Sequence, residues 1–324
     1  MISNKGRKAW MAAALAVCCT LSVARAEEWK PVKPIRIVVP IVGSTNDVLA
    51  RLVAPELGAA LGQPVVVENK GGGGGLIGTM DVVKSVPDGY TLLVGYNGPI
   101  SINPTLLPQT PYDPIKDLAP ITLAVKASQY LVVNPKVPVK TLSEFVDYAK
   151  GHRMSYASVS VGSSSHLTME MLKQAAHIDI THVPYRGAGP AVVDLIGGQV
   201  DAAFLVPGNI QDYAKDGRAR LIASSGLKRF ASTPDVPTVA ESGYPGFNAT
   251  SWIGFLAPAG TPKPVMDRLN SEMVRILKSA KVRKQLEDME FDVVASSPQE
   301  FSAWIKEDTE RWAKVIQAAD IKAN

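Results

Sequence analysis

Short apolar runs alternate with helical patterns along most of this chain, and that alternation narrows what it can fold into. The strand candidates are Ile35–Val39, Val65–Glu68, Thr91–Gly95, Tyr130–Val133, Ser155–Ala157, Thr181–Val183, Asp201–Val206 and Arg220–Ser224. Helical patterns lie between them at Asp47–Leu61, Leu76–Ser85, Thr141–Lys150, His166–Ala175, Pro190–Gly197 and Gly208–Lys215. Thr141 with Glu144 three residues on fits a capping box. Repeated strand–helix units predict an α/β fold, with mostly parallel sheets flanked by helices. Two stretches break the rhythm, Asn103–Pro120 and Thr233–Gly260, both rich in Pro. Long helical patterns follow at Pro264–Ser279 and Pro298–Ala319, separated by the brief apolar stretch Phe291–Ala295. This order predicts two lobes joined by a chain that passes between them twice, leaving a hinged cleft. The expected division is 27–127 with 252–324 in one lobe and 128–251 in the other.

The first 26 residues read as an export signal. Lys5, Arg7 and Lys8 precede an apolar stretch from Ala9 to Val23, and Ala24-Arg25-Ala26 fits the small-residue cleavage pattern. Removing 26 of 324 residues leaves 298, enough for two lobes of ordinary size. The whole chain has 34 basic and 30 acidic residues, and the leader holds four basic residues and no acidic ones. Cleavage therefore leaves 30 of each, so the apparent basicity says nothing about nucleic acid, and none is expected as a partner. Both cysteines, Cys18 and Cys19, leave with the leader, so the mature chain relies on its core rather than on disulfides. A periplasmic monomer is expected.

Two small-residue loops stand where a strand gives way to a helix. The first comprises Ile41, Val42, Gly43, Ser44, Thr45, Asn46 and Asp47; the second comprises Ser158, Ser160, Val161, Gly162, Ser163, Ser164, Ser165 and His166. A helix start has free N–H groups and a positive dipole end, so each loop is a candidate anion site. Two such loops facing each other would clamp a small carboxylate. Arg51, Arg186, Lys228 and Arg229 lie near candidate loops but not within these two, which favours capture by backbone amides. Asp47 fits a helix cap as well as a ligand-facing group. Tyr96, Asn97, Tyr185 and Phe204 follow strand ends or turns and are expected to shape the distal part of the ligand, with packing or turn structure as the competing reading.

Other chemistries fit less well. Gly73, Gly75 and Gly78 satisfy a dinucleotide-binding spacing, yet the next strand ends Gly95-Tyr96-Asn97 without the acidic residue a ribose needs. A tight strand-to-helix turn explains the run, and no cofactor is expected. Ser163 to Ser165 beside His166 lack a nucleophile elbow, and a capping role explains them better than hydrolysis. The four histidines show no metal-binding spacing.

The motifs Asp88-Gly89-Tyr90-Thr91-Leu92-Leu93, Ser164-Ser165-His166-Leu167, His182-Val183-Pro184-Tyr185-Arg186-Gly187, Asp194 to Asp201, Pro237 to Glu241 and Ala257 to Pro262 together resemble the Bordetella uptake gene family, in order over the mature chain. Glu68-Asn69-Lys70 and the following glycines resemble the same pattern. The resemblance implies a two-lobed periplasmic-binding-protein fold of the second type, a receptor that is not an enzyme, and delivery of a small organic anion to the subunits of a tripartite tricarboxylate membrane transporter. It also maps the proximal carboxylate onto the two loops chosen above. A sensing receptor or an exported hydrolase are the alternatives. The chain departs from the family at those loops: the first is one residue shorter, Ile41 replaces an aromatic, Gly43-Ser44 replaces a double glycine, and Ser160-Val161-Gly162 replaces a G-x-G. Loss of glycine is expected to restrict the backbone there. Export from a bacterial host should yield a chain starting at Glu27, read by N-terminal sequencing; a start upstream of Ala9 would mean that the leader is retained.

Overall fold

The computed structural model describes residues 29–41, 44–107 and 109–322. The expected leader, Val42 and Gly43 lie outside the described residues. The chain opens with β1 (Ile35–Val39), α1 (Thr45–Leu61), β2 (Val65–Asn69), α2 (Leu76–Val83) and β3 (Thr91–Tyr96). β1 pairs in parallel with both β2 and β3, as the strand–helix rhythm requires. The glycine run makes a tight turn before α2, with positive φ from Gly72 to Gly75. A Cβ on Gly78 would come within 2.6 Å of the Lys70 carbonyl and 2.8 Å of Pro40, so the helix can lie this close only without a side chain. Arg36, Lys70, Glu68 and Asp81 close a ring of ion pairs at 2.7–3.3 Å across β1, β2 and α2.

The Pro-rich stretch folds as a π turn (Gly98–Ile102) and two single-turn helices, α3 (Asn103–Leu106) and α4 (Pro114–Asp117). β4 (Leu118–Ala127) then leads out of the first lobe. The second lobe runs β5 (Tyr130–Val133), α5 (Leu142–Gly151), β6 (Ser155–Ser158), α6 (Ser164–Ala176), β7 (Thr181–Pro184), α7 (Ala188–Gly197), β8 (Ala202–Leu205), α8 (Pro207–Lys215) and β9 (Arg220–Ser224). The Thr141 hydroxyl caps α5 by accepting from the Glu144 N–H, but Glu144 reaches back to the Lys140 N–H rather than to Thr141, so the capping box is incomplete. The chain returns through β10 (Ser251–Pro258), α9 (Lys263–Leu277), α10 (Ala280–Asp288), β11 (Asp292–Val293) and α11 (Pro298–Ala318).

Among the described residues the strands form two sheets, one ordered β11-β4-β10-β3-β1-β2 and the other β7-β6-β8-β5-β9. The α/β class is as expected, but both sheets are mixed rather than mostly parallel. The reason is the double crossing. β4 leaves the first lobe where β10 re-enters it, and Ala127 pairs antiparallel with Ser251. β5 enters the second lobe where β9 leaves it, and Tyr130 pairs antiparallel with Ser224. Two neighbouring strands that carry the chain out and back must run in opposite directions. β10 falls inside the second stretch that breaks the sequence rhythm, and β4 begins at the end of the first. β4 holds Pro120, which meets Leu256 at a register shift, a position where a sheet tolerates proline.

The first core lies between the sheet and α1, α9 and α10, with Ile35, Ile37, Leu49, Val53, Leu57, Leu269 and Met273 fully buried. On the opposite face Trp252 packs edge-on against Phe301 of α11 at 5.2 Å. A capping box of Ser297 and Glu300 starts that helix. Its first turns, through Phe301 and Ile305, belong to the first lobe. Its last turns put Trp312, Val315 and Ile316 into the second core beside Leu167 and Leu172. Between them Asp308 is fully buried, accepts from Trp252 Nε1 at 2.6 Å and pairs with Arg311. The C-terminal helix therefore spans both lobes. Trp312→Ala is expected to destabilise the protein by about 3–5 kcal/mol, the usual cost of emptying a buried Trp site. Urea unfolding monitored by circular dichroism measures it, and an unchanged midpoint would detach the helix end from the second core.

Candidate functional site

Only Ser128 and Gln129 separate β4 from β5, so the strand ends level with Ala127 and Tyr130 face each other across the crossing. On the first lobe that edge carries the ends of β1 at Val39 and of β3 at Tyr96 and the start of β10 at Ser251; on the second it carries the ends of β6, β7 and β8. Both predicted loops leave from this edge. Ser225, fully buried, joins the crossings: its N–H donates to the Gln129 carbonyl at 2.8 Å, and its hydroxyl accepts from the Gln129 N–H at 2.9 Å. The same hydroxyl donates to the Ala249 carbonyl at 3.1 Å.

In the first loop Ser44 takes an extended conformation ahead of α1, but its hydroxyl turns back to the Ile41 carbonyl and does not cap the helix. The Asp47 and Val48 N–H groups share the Ser44 carbonyl. Those of Thr45 and Asn46 have no acceptor among the described residues. Asn46 is buried with its Nδ2 unpartnered. Asp47 points away from that helix start. Arg51 Nε donates to one of its oxygens at 2.9 Å and Asn69 Nδ2 to the other at 2.9 Å, while Arg51 also donates to Asn69 Oδ1 at 2.9 Å. These donors hold the Asp47 carboxyl below the usual range.

The second loop consumes its side-chain acceptors internally. The Ser160 carbonyl receives the hydroxyls of Ser158 at 2.9 Å and Ser163 at 2.7 Å and the Ser163 N–H at 3.3 Å. With its one proton spent there, Ser163 Oγ accepts from the Ser165 hydroxyl and from the His166 N–H. Ser165 Oγ in turn accepts from the Val159 N–H at 3.0 Å. The Gly162 N–H donates to His166 Nδ1 at 3.0 Å. Left over, with no acceptor among the described residues, are the N–H groups of Ser160, Val161, Ser164 and Ser165 and the hydroxyl proton of Ser164, whose oxygen accepts from Gln129 Nε2. The arrangement is an excess of donors at the start of a 13-residue helix, the electrostatics an anion requires.

The departures from glycine cost little. Gly162 has φ +72°, where an L side chain is strained, and a Cβ there would also lie 2.0 Å from the end of the Leu106 side chain, so this position favours glycine. Ser44 has φ −114°, and neither it nor Ser160 is among the residues with positive φ. The expected restriction of the backbone therefore does not arise at those two serines.

The four distal candidates separate. Asn97 is at the edge, 3% exposed, with Nδ2 unpartnered and Oδ1 3.5 Å from the Ser251 hydroxyl. The Tyr96 hydroxyl donates to the Gly74 carbonyl at 3.2 Å and secures the glycine turn. The Tyr185 hydroxyl donates to Asp194 of α7 at 2.7 Å; burial and that carboxylate push it up to about 12. Phe204 is a core residue with no exposed surface, because alternation along β8 turns it inward. The residues just beyond it take the edge instead. Val206, Pro207, Gly208 and Gln211 line a cavity of about 160 Å³ together with Thr45, Ala127 and Asp288 to Phe291. It is bounded by the starts of α1 and α8, one from each lobe, and matches in size the ~150 Å³ cavity that accepts benzene elsewhere. Gln129, 3% exposed with Oε1 unpartnered, is a further polar group at the crossing. Pro207-Gly208 repeats the signal of strand, small residue and helix start that marks the other two loops.

Hydrolysis finds no support here. The Ser163 proton goes to a carbonyl rather than to an imidazole. Ser158 and His182 do touch at 2.7 Å, but Ser158 is fully buried and its own proton goes to Ser160. Burial, His182 and Lys173, in that order, hold the His166 imidazole down to about 3; burial also lowers His182, against the pull of Glu170.

The sequence matches the family described as "Tripartite tricarboxylate transporter family receptor" over residues 49–321. The fold is similar to that of the periplasmic binding protein BugD, with a TM-score of 0.80 and 34% identity over 91% of this chain and 100% of that one. It is similar to an adipate-bound protein of R. palustris, with a TM-score of 0.83 and 31% identity over 90% and 99%. A malate-bound protein, MatC from Rhodopseudomonas palustris, gives a TM-score of 0.76 and 33% identity over 88% and 99%.

The histidines set a pH dependence. In the unfolded chain His166 binds a proton below about pH 6.5, whereas in the fold it stays neutral to about pH 3. The unfolded state thus holds more protons between these values, so stability is flat above pH 6.5 and falls as the pH drops through the window. A loss of about 2 kcal/mol from His166 is expected between pH 7 and pH 5, at about 1.4 kcal/mol per unit, with His182 adding in the same direction. Urea titrations at the two pH values measure it, and equal stabilities would contradict the buried neutral ring.

Proposed function

The chain belongs to the family of tripartite tricarboxylate transporter receptors, and from that premise we propose that it captures a small organic acid of the dicarboxylate class in the periplasm and hands it to a membrane transporter. The observation that carries the reading is the surplus of donors on the second loop, with the uncapped start of α1 on the opposite lobe. A carboxylate accepts several N–H bonds at once, and each charge-assisted bond contributes about 1.5–3 kcal/mol. Four of them supply about 6–12 kcal/mol, a range that brackets the ~8 kcal/mol of a micromolar complex, and further polar contacts have to offset ligand immobilisation and lobe closure. The ion pairs of Arg51 and Lys70 occupy those cations. This supports recognition by main-chain donors and by the buried amides Asn46, Asn97 and Gln129. The adipate and malate held by the R. palustris proteins are acids of this size.

The test is a thermal-shift screen across mono-, di- and tricarboxylates and aromatic acids. A ligand of the folded state raises Tm with concentration, and the dicarboxylates are expected to do so most. A panel in which no acid moves Tm would overturn the reading. Ser164→Pro removes one free N–H at the first helical position, where proline is well tolerated. Measured against Ser164→Ala, which likewise lacks the hydroxyl that accepts from Gln129 Nε2, it should weaken the best ligand by about tenfold to a hundredfold with Tm of the two free variants nearly equal. Unaltered affinity would remove that amide from the site.

A further inference from the structure

We propose that His166 and His182 act together as positioning residues, a stack of two neutral imidazoles in one tautomer that holds the second loop in its donor-rich shape. The argument rests on proton accounting. Ser158 Oγ has one proton, and it goes to the Ser160 carbonyl at 2.9 Å. The 2.7 Å contact between Ser158 Oγ and His182 Nε2 therefore has the ring nitrogen as donor. The Gly162 N–H donates to His166 Nδ1, so that nitrogen is bare and the proton of the neutral ring sits on Nε2. Both rings are thus Nε2–H tautomers, fixed by the loop rather than by solvent.

The rings stack at 3.8 Å between centroids and 7° between planes, and the Tyr156 ring continues the stack at 4.9 Å from His182. Two like charges at that spacing would repel, so the stack persists only while neutral. The charged groups around it are committed to one another. Glu170 of α6 accepts from the Tyr156 hydroxyl at 2.6 Å and from Lys173 at 2.9 Å, and Lys173 lies 3.8 Å from Asp179. A proton on His166 Nδ1 would confront the Gly162 N–H with a second donor. Gly162 is already wedged at positive φ against Leu106, so the loop would have to change shape. From β7, 24 residues beyond Ser158 in sequence, His182 thus anchors the loop's first residue, while His166 anchors its turn.

The ligand arm of the test rests on the functional reading above; the other two arms do not. Long-range proton–nitrogen NMR of the mature protein at pH 7 should give the Nε2–H pattern for both rings. An Nδ1–H or doubly protonated His166 would overturn the proposal. In amide exchange, Gly162 should be protected in the wild type and in His166→Asn, whose Oδ1 replaces Nδ1 as acceptor, and exposed at least tenfold in His166→Leu. Equal exchange in the Asn and Leu variants would reduce His166 to a packing residue. With adipate as the probe in calorimetry, His166→Leu and His182→Leu should raise Kd tenfold or more, and His166→Asn and His182→Gln should recover most of it. Recovery by neither conservative variant would overturn the positioning role. Should the wild type bind no adipate, the NMR and exchange arms still decide the proposal while the assigned ligand class alone falls.

Discussion

Ser225 is where the two passages of the chain between the lobes are tied together. Its backbone and hydroxyl bond the outgoing segment at Gln129 and the returning one at Ala249, and it is wholly shielded from water. Polar groups buried this way hold their partners tightly, because breaking any bond leaves an unsatisfied donor or acceptor. The tie makes the crossings one unit. It lies where β4 runs against β10 and β5 against β9, at the edge that the strand ends of both lobes share. The two candidate loops lie at that edge because strand–helix units put their turns where the strands end.

The chemistry at the edge follows an economy of protons. The serines of the second loop bond inward, and their oxygens are used up by neighbouring donors. What remains is main-chain N–H and the Ser164 hydroxyl proton. Under the proposed function, donors arranged this way hold negative charge without a cationic side chain. Arg51 is spent on Asp47 and Asn69, which shape the neighbouring turn rather than the ligand. On that proposal specificity falls to the neighbouring groups, among them the buried amides and the small cavity between the starts of α1 and α8.

Much of this was legible from local pattern. β1, β5 and β9 have the bounds that their apolar runs suggest, and the two loops stand where small residues precede helical periodicity. β4 and β10 were not legible, because both are covered on two faces and so lack alternation, and because Pro120 reads as a breaker until its register shift is known. α10 was hidden between two longer patterns. Phe204 was drawn toward the site by its position near a strand end, yet period-two geometry turns it into the core. His182 carried no local sign of its role, since the Ser158 it anchors lies on another strand. Contacts between residues distant along the chain set these features, and no window of sequence contains both partners.

The C-terminal helix has a mechanical consequence. One end is embedded with Trp252 and Phe301 in the first lobe, the other with Leu167 and Leu172 in the second. Were the lobes joined by the strand crossings alone, they could swing like a door on its pins. A rod fastened at both ends adds a restoring force, so any rotation has to be absorbed as bending or sliding of the helix around Asp308. The resting angle between the lobes then becomes an elastic property of the molecule, set partly by side chains far from the strand crossings.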